Sequence, residues 1–357
     1  MQMSKFLLMT DAMGQGGAER QLACLAEMLK KTGHQVRLVT FYNHDNFYAP
    51  QLDKAGISVE VFQEGQSSKK RPFVIQKIIK GWKPDMVVAY KPGTAMAACI
   101  ARMICKFNLV VSERNTTQEL TLSERLRFFL YKWADHIVPN SQSQADFIRV
   151  NYPNLYTKVK VITNMVDTDI FIPKENPIKN DIPQVVTTAR ITPQKNVLNY
   201  IESIAELRRR NIKVHFNWYG RIDGGDDYWQ KIQDSIRLNK VEENITFHGP
   251  TQNTVAAYQS ADLFFLPSEY EGFPNVLCEA MACGIPSIAT DVCDNKNILT
   301  DSRWLCDFRS PINMADKIEN MLCQSQEVRN QIGQENRNTV LNLCSPEKFV
   351  NKYISLL

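Results

Sequence analysis

The sequence predicts an α/β protein made of two Rossmann-like domains that face each other, each built on a parallel sheet. Three observations carry this. Short apolar runs alternate with helical patterns along most of the 357 residues, as strand–helix–strand units do. One stretch, within 166–183, is rich in Pro, Asn, Asp and Lys and lacks periodicity, so it reads as a linker between two such series. The length itself suits two domains.

The first series has strand-like runs at 6–10, 36–41, 59–62, 86–89, 109–112 and 137–139. Between the first two, Leu22, Leu25, Ala26 and Leu29 fall on one helical face, and Gly33 supplies the stop. A further strand is expected at 158–162, leading into Asn164 and Asp167. Alternation resumes at 184–189, 214–219, 245–248, 263–266 and 287–289. From Pro311 onward the pattern is helical, with no strong strand. The expected domains are 1–165 and 184–340, joined by a linker at 166–183, with a terminal helical segment at 341–357.

The most informative stretch is 268–286. It follows the run 261–267, precedes the run 285–290 and holds a short helix between them. Pro274 suits the first helical turn, Gly284 a left-handed stop, and Pro286 blocks continuation. Such a unit brings the helix N-terminus to the carboxyl edge of the sheet, where open α/β sheets bind ligands. Its free amides and positive dipole end favour phosphate. Glu271 in the preceding loop suits sugar hydroxyls, and Glu279 suits a ribose diol. The constellation fits a nucleotide sugar.

Other loops sit at equivalent edges. Gly14-Gln15-Gly16-Gly17-Ala18-Glu19-Arg20 opens the first helix and reads equally as a tight turn or as a ligand loop. It is no dinucleotide fingerprint, because Glu19 stands where a third Gly would be. Arg190 and Lys195 follow the first strand of the second domain. Gly220 and Pro250 follow the next two strands, in loops that tight turns explain as well as binding does. Asp167-Thr168-Asp169 has a metal-like spacing but lies in the linker region, away from any nucleotide-binding strand tip.

Glu271-x7-Glu279 with Gly272, Phe273, Pro274 and Asn275 between resembles the EX7E motif of GT-B glycosyltransferases of family 4. The Gly16-Gly17-Ala18-Glu19-Arg20 loop is similar to theirs, and 189–196 resembles their G-R-x-x-x-x-K-N element with Ala189 in place of Gly. The resemblance implies a GT-B fold, two domains facing across a cleft, with the last helix crossing back to the N-terminal domain. It implies transfer with retention from a nucleoside diphosphate sugar, UDP being the commonest carrier. Arg190, Lys195 and Glu271 would be the catalytic groups. Gly16, Gly17, Gly220, Pro250, Gly272, Phe273, Pro274, Asn275, Val276 and Glu279 would join them around the donor. No cofactor and no metal is implied, since Arg and Lys meet the diphosphate charge. Many members carry a His after the strand near position 110; here the chain reads Val111-Ser112-Glu113-Arg114-Asn115. Glu113 and Arg114 are therefore either acceptor-side residues or parts of a capped turn.

The bulk numbers agree with such an enzyme. Nine scattered Cys without C-x-x-C or Cys/His zinc spacing suggest reduced thiols and a cytoplasmic location. No apolar run suits a signal peptide or a membrane span. Residues 1–170 hold 22 Lys and Arg against 15 Asp and Glu; the remainder holds 20 against 23. The basic half suits either simple solvation or an anionic surface. The expected partners are a nucleotide sugar, a glycan or lipid-linked acceptor, and an anionic membrane touched peripherally at its inner face. Lys69-Lys70-Arg71-Pro72-Phe73 and Arg125-Leu126-Arg127-Phe128-Phe129 are the candidate contacts. Nothing resembles a nucleic-acid motif. A sugar-nucleotide epimerase and a non-catalytic binding subunit on the same fold are the alternatives.

Overall fold

The structure is a computed structural model that describes residues 3–43, 46–114, 120–175 and 180–357. The chain divides into two compact units, Met1–Met165 with Pro346–Leu357, and Val166–Ser345.

In the first unit the order is β1 (Lys5–Thr10), α1 (Gly17–Lys31), β2 (Gln35–Thr40), α2 (Ala49–Lys54), β3 (Val59–Val61), α3 (Arg71–Trp82), β4 (Met86–Tyr90), α4 (Pro92–Ile104), β5 (Leu109–Glu113), α5 (Leu122–Leu130), β6 (His136–Pro139) and α6 (Gln142–Asn151). The strands pair in parallel in the order β3-β2-β1-β4-β5-β6. Successive side chains of a strand point to opposite faces. Phe6 and Leu8 accordingly enter a core with Leu22 and Leu25 of α1, while Leu7 and Met9 enter another with Ile75 and Ala98. Burial on both faces explains the unbroken apolar runs. Gly33, at φ +88°, ends α1, and the amide of His34 reaches back to the Leu29 carbonyl.

The second unit runs β7 (Gln184–Thr188), α7 (Val197–Arg209), β8 (His215–Tyr219), α8 (Asp226–Asn239), β9 (Ile245–Gly249), α9 (Thr254–Gln259), β10 (Leu263–Leu266), α10 (Asn275–Ala282), β11 (Ser287–Thr290), α11 (Asn295–Ile298), β12 (Leu305–Cys306), α12 (Pro311–Leu322) and α13 (Gln326–Cys344). Its parallel sheet has the order β12-β11-β10-β7-β8-β9. Both sheets thus share one doubly wound topology, with switch points between β1 and β4 and between β7 and β10.

Three expectations need correction, and one strand was not expected. Residues 158–162 form no strand. A single bridge joins Val159 to Ile137, and two backbone bonds run alongside β6. Pro139 has no N–H with which to extend a ladder. The two-residue β12 is too short to show a period and was not expected. The terminal segment does not begin at 341, because α13 continues to Cys344. Pro346 forces the break: it lacks an amide hydrogen and pushes Ser345 to an extended ψ of 147°. The new helix, α14 (Pro346–Ile354), packs Phe349, Val350 and Tyr353 into the first unit's core beside α1. Finally, the presumed linker is partly core, since Val166 and Phe171 are buried in the second unit. Asp167 Oδ1 accepts the amides of Asp169 and Ile170, so that carboxylate is engaged in a local turn.

Candidate functional site

The second unit's switch point is where the sequence placed its chemistry. The loops after β7 and β10 are stitched by two hydrogen bonds to backbone carbonyls. The Glu269 amide donates to the Gln194 carbonyl at 2.9 Å, and Gln194 Nε2 donates to the Tyr270 carbonyl at 2.9 Å. Asn196 takes a left-handed φ of +56°, which asparagine tolerates, and turns the chain into α7. Its Nδ2 donates to the Phe308 carbonyl at 2.7 Å.

This stitching brings Lys195 Nζ within 2.5 Å of Glu271 Oε1. Ser268 Oγ donates to the same oxygen at 2.6 Å, and Thr290 Oγ1 donates to the Ser268 carbonyl at 2.6 Å. The Glu271 amide donates to Cys293 Sγ at 3.4 Å. Cys293 itself sits at φ +48°, an uncommon conformation for a side chain of its kind. Glu271 is therefore held by Lys195, Ser268 and Cys293 while largely buried.

Gly272, Phe273 and Pro274 continue from Glu271 into α10. Pro274 stands at the N-cap, one position ahead of its expected place in the first turn, and Asn275 and Val276 open the helix. The first turn of a helix leaves amides for an anion. Glu279 lies one turn further, 3 % exposed. Tyr258 donates to its Oε2 at 3.1 Å, and Thr188 Oγ1 lies 2.7 Å from the tyrosine hydroxyl.

Arg190 does not join this group. Its guanidinium is 59 % exposed and contacts Asp223, which Arg221 also holds. Gly220 has a structural cause: a Cβ there would lie 1.8 Å from the Ala189 carbonyl oxygen. That oxygen already accepts the Trp218 indole N–H at 2.8 Å. Gly249, at φ +70°, turns the chain before the exposed Pro250.

In the first unit Gly16 is the N-cap and Gly17 the first residue of α1. A Cβ on Gly16 would meet the Glu19 carboxylate at 2.4 Å; Glu19 folds back there and pairs with Lys91. Glu113 is buried, pairing with Arg127 and accepting from Tyr131. Burial, only partly offset by Arg127, raises its carboxyl above the usual range. Arg114 donates to Ser112 at 2.8 Å, Asn164 at 2.6 Å and Tyr90 at 2.9 Å, and it also donates to Tyr353 of α14. Glu113 thus points into the fold, and Asn115 lies outside the described residues. Among the described residues no group of three or more His, Cys, Asp or Glu is arranged to hold a metal.

Two family models match adjacent parts of the chain. Glycosyltransferase Family 4 covers residues 15–170, and Glycosyl transferases group 1 covers 169–339. The chain is a GT-B glycosyltransferase resembling family 4.

A Campylobacter jejuni relative is 25 % identical over 339 residues, covering 90 % of this glycosyltransferase and 89 % of the relative. It is named GalNAc-alpha-(1->4)-GalNAc-alpha-(1->3)-diNAcBac-PP-undecaprenol alpha-1,4-N-acetyl-D-galactosaminyltransferase. The amylovoran biosynthesis glycosyltransferase AmsD of Erwinia amylovora is 22 % identical over 93 % of both chains. Among solved structures, a glycosyltransferase from Rickettsia africae superposes with a TM-score of 0.86 at 19 % identity, covering 100 % of this chain and 98 % of its own. Anabaena Alr3699/HepE in complex with UDP gives 0.84 at 19 % identity over 98 % of both chains.

Of the residues expected from the sequence, Lys195 and Glu271 are brought into contact and Glu279 lies buried one turn into α10. Sequence reasoning gave no role to Ser268, Thr290, Cys293, Tyr258 or Thr188. The serine alone had a signal, three residues before Glu271; the others come together only through the sheet.

Proposed function

We propose that this glycosyltransferase moves a sugar from a UDP-sugar, with retention of configuration, to a glycan or lipid-linked acceptor in cell-surface polysaccharide synthesis. The Lys195–Glu271 pair at the β7/β10 switch point, with Glu271 in the loop that leads into α10 and Glu279, carries the reading. Glu279 accepts from the ribose diol, and the first turn of α10 meets the diphosphate. Glu271 accepts from donor-sugar hydroxyls. As the sugar–phosphate bond breaks, its electron pair goes to the phosphate oxygen, where Lys195 offsets the growing charge. Arg190 joins it when it leaves Asp223. The acceptor hydroxyl attacks from the side of departure and gives its proton to the leaving phosphate. No metal takes part, so chelation with EDTA leaves turnover unchanged.

The named Campylobacter and Erwinia relatives support a diphospholipid-linked or growing polysaccharide acceptor. The first unit would meet it at an anionic membrane on the cytoplasmic side. Among the described residues no helix is long and apolar enough to cross a bilayer. Only part of the two expected segments is exposed for such a contact. Arg71 is buried on Asp11 and the Gly65 carbonyl, and Arg127 and Phe128 are buried as well. What remains outside is Phe73 beside Lys69 and Lys70, and Leu122, Leu126 and Phe129 on one face of α5 with Arg125.

Incubation with a panel of nucleotide sugars and a lipid-linked acceptor tests the reaction, reading UDP release and product anomer. No UDP release from any UDP-sugar overturns the donor, and an inverted product overturns retention. Vesicle sedimentation tests the membrane contact. Binding should require anionic lipid, fall with salt, and weaken when Lys69 and Lys70 become Ser. Equal recovery on neutral vesicles rejects it.

A further inference from the structure

Arg114 differs from two other enclosed arginines of the first unit. Arg71 meets the Asp11 carboxylate, and Arg127 meets Glu113 and Glu124. Arg114 meets no carboxylate among the described residues. Its hydrogen-bond partners are neutral oxygens: Ser112 Oγ, Asn164 Oδ1 and the hydroxyls of Tyr90 and Tyr353. The two tyrosine hydroxyls lie 3.0 Å apart, and Tyr90, Tyr353 and Ser112 are all buried. Burial pushes Tyr90 well above the usual tyrosine range, so no phenolate supplies a counter-charge there. Glu113 precedes Arg114 in the chain but is committed to Arg127 and Tyr131. The guanidinium also lies over the Tyr90 ring, 4.8 Å from its centroid, and a ring face offsets only part of a charge. A cation stripped of water and left without a counter-ion is costly. Here it stands where a ligand can answer it. Tyr90 ends β4, Ser112 is its partner in register, and Arg114 follows β5 directly. That is the carboxyl edge of the first sheet, where open α/β sheets receive ligands, and Arg114 stays partly exposed.

We infer that Arg114 is an anion-binding residue that takes the diphosphate of a lipid-linked acceptor. The inference rests on the lipid-linked acceptor proposed above. A guanidinium has five N–H groups. Four of them are engaged by the neutral partners: Nε by Ser112, one on Nη1 by Asn164, and both on Nη2 by the tyrosines. The two-pronged fork that suits a single carboxylate is therefore not available. What is left is one N–H and a full positive charge in a partly desolvated place. A diphosphate, with several negative charges spread over many oxygens, gains more from that charge than a carboxylate does. Arg114 is also held in advance from β4, β5 and α14, so little side-chain freedom is lost when the anion arrives.

Calorimetry on the full chain with inorganic diphosphate, at saturating UDP so that the donor site is filled, tests the site. The wild type should still bind diphosphate, more weakly as salt rises. Arg114→Gln should weaken that binding by roughly tenfold or more and leave UDP affinity unchanged. Arg114→Lys keeps the charge without the planar fork and should fall between the two. If Arg114→Gln does not fold, Arg114→Lys decides by the same readout. No diphosphate binding by the UDP-saturated wild type, or binding that the variants leave unchanged, overturns the inference. Transfer to a saccharide on polyprenyl diphosphate, set against the same saccharide on a neutral alkyl chain, tests the acceptor role. The wild type should favour the diphosphate carrier, and Arg114→Gln should narrow that preference by about tenfold. Equal use of both carriers by the wild type overturns the role. No transfer to either carrier, with diphosphate binding intact, counts against the lipid-linked acceptor itself, and the inference falls with that reading.

Discussion

At the scale of single residues, Lys195 and Glu271 share an ion pair but should fail differently when removed. In the proposed reaction Lys195 acts on charge that grows in the transition state. Lys195→Ala should therefore lower kcat by roughly 100- to 1,000-fold, with a smaller rise in donor KM. Steady-state kinetics check this; normal kcat with weak donor binding would remove Lys195 from the chemistry. Glu271→Ala should spare affinity for free UDP while depressing transfer. Glu279→Ala should weaken UDP itself by about ten- to hundredfold, read by calorimetry. The carboxylates were legible because loop, helix and flanking runs frame them in one short stretch. Thr290 and Tyr258 were not. A hydroxyl carries no periodic signal, and Thr290 reaches Ser268 only because β11 lies beside β10.

At the scale of elements, α13 depends on one close approach. A Cβ on Gly333 would lie 2.0 Å from the Gly284 carbonyl oxygen, at the turn that ends α10. Nearby, Asn336 Nδ2 donates to the Ile285 carbonyl at 3.4 Å, and Arg337 Nη1 donates to the Phe171 carbonyl at 3.0 Å and to the Ala282 carbonyl. Gly333→Ala should cost about 1–3 kcal/mol by forcing the helix outward, lowering the unfolding midpoint by roughly 2–10 °C. Calorimetry reads this, and an unchanged midpoint would mean the helix shifts freely. Gly33 and Gly284 announced their turns in the sequence, whereas Gly333 lies inside an ordinary helical pattern. What demands it is another segment's backbone. Strand runs were legible because parallel strands are buried on both faces. The short β12 and the lone bridge at Val159 were not, since two residues make no period.

At the scale of the whole molecule, acid should loosen both units. His34, His136 and His248 have ring pKa values lowered from 6.5, in each case chiefly by burial. The unfolded chain takes up protons near pH 6.5 that the folded chain resists until lower pH, so stability falls as pH drops below that value. At His34, protonation would also remove the Nδ1 acceptor of the Ser4 amide. Unfolding midpoints should fall between pH 7.5 and 5.5, and His34→Gln should flatten part of that slope in the first unit. A flat profile in the wild type would reject the assignment. Deleting residues 346–357 should unfold the first unit at lower temperature than the second, seen as two separated transitions.

The placement of α14 also orders events during synthesis. The first unit is assembled from both sides of the second in the chain. Its core lacks Phe349, Val350 and Tyr353 until residues beyond Pro346 have left the ribosome. The second unit, made in one continuous stretch, can close before that. The half that is translated first is therefore the half that matures last, and a stalled or truncated product would expose its apolar α1 face to chaperones and proteases.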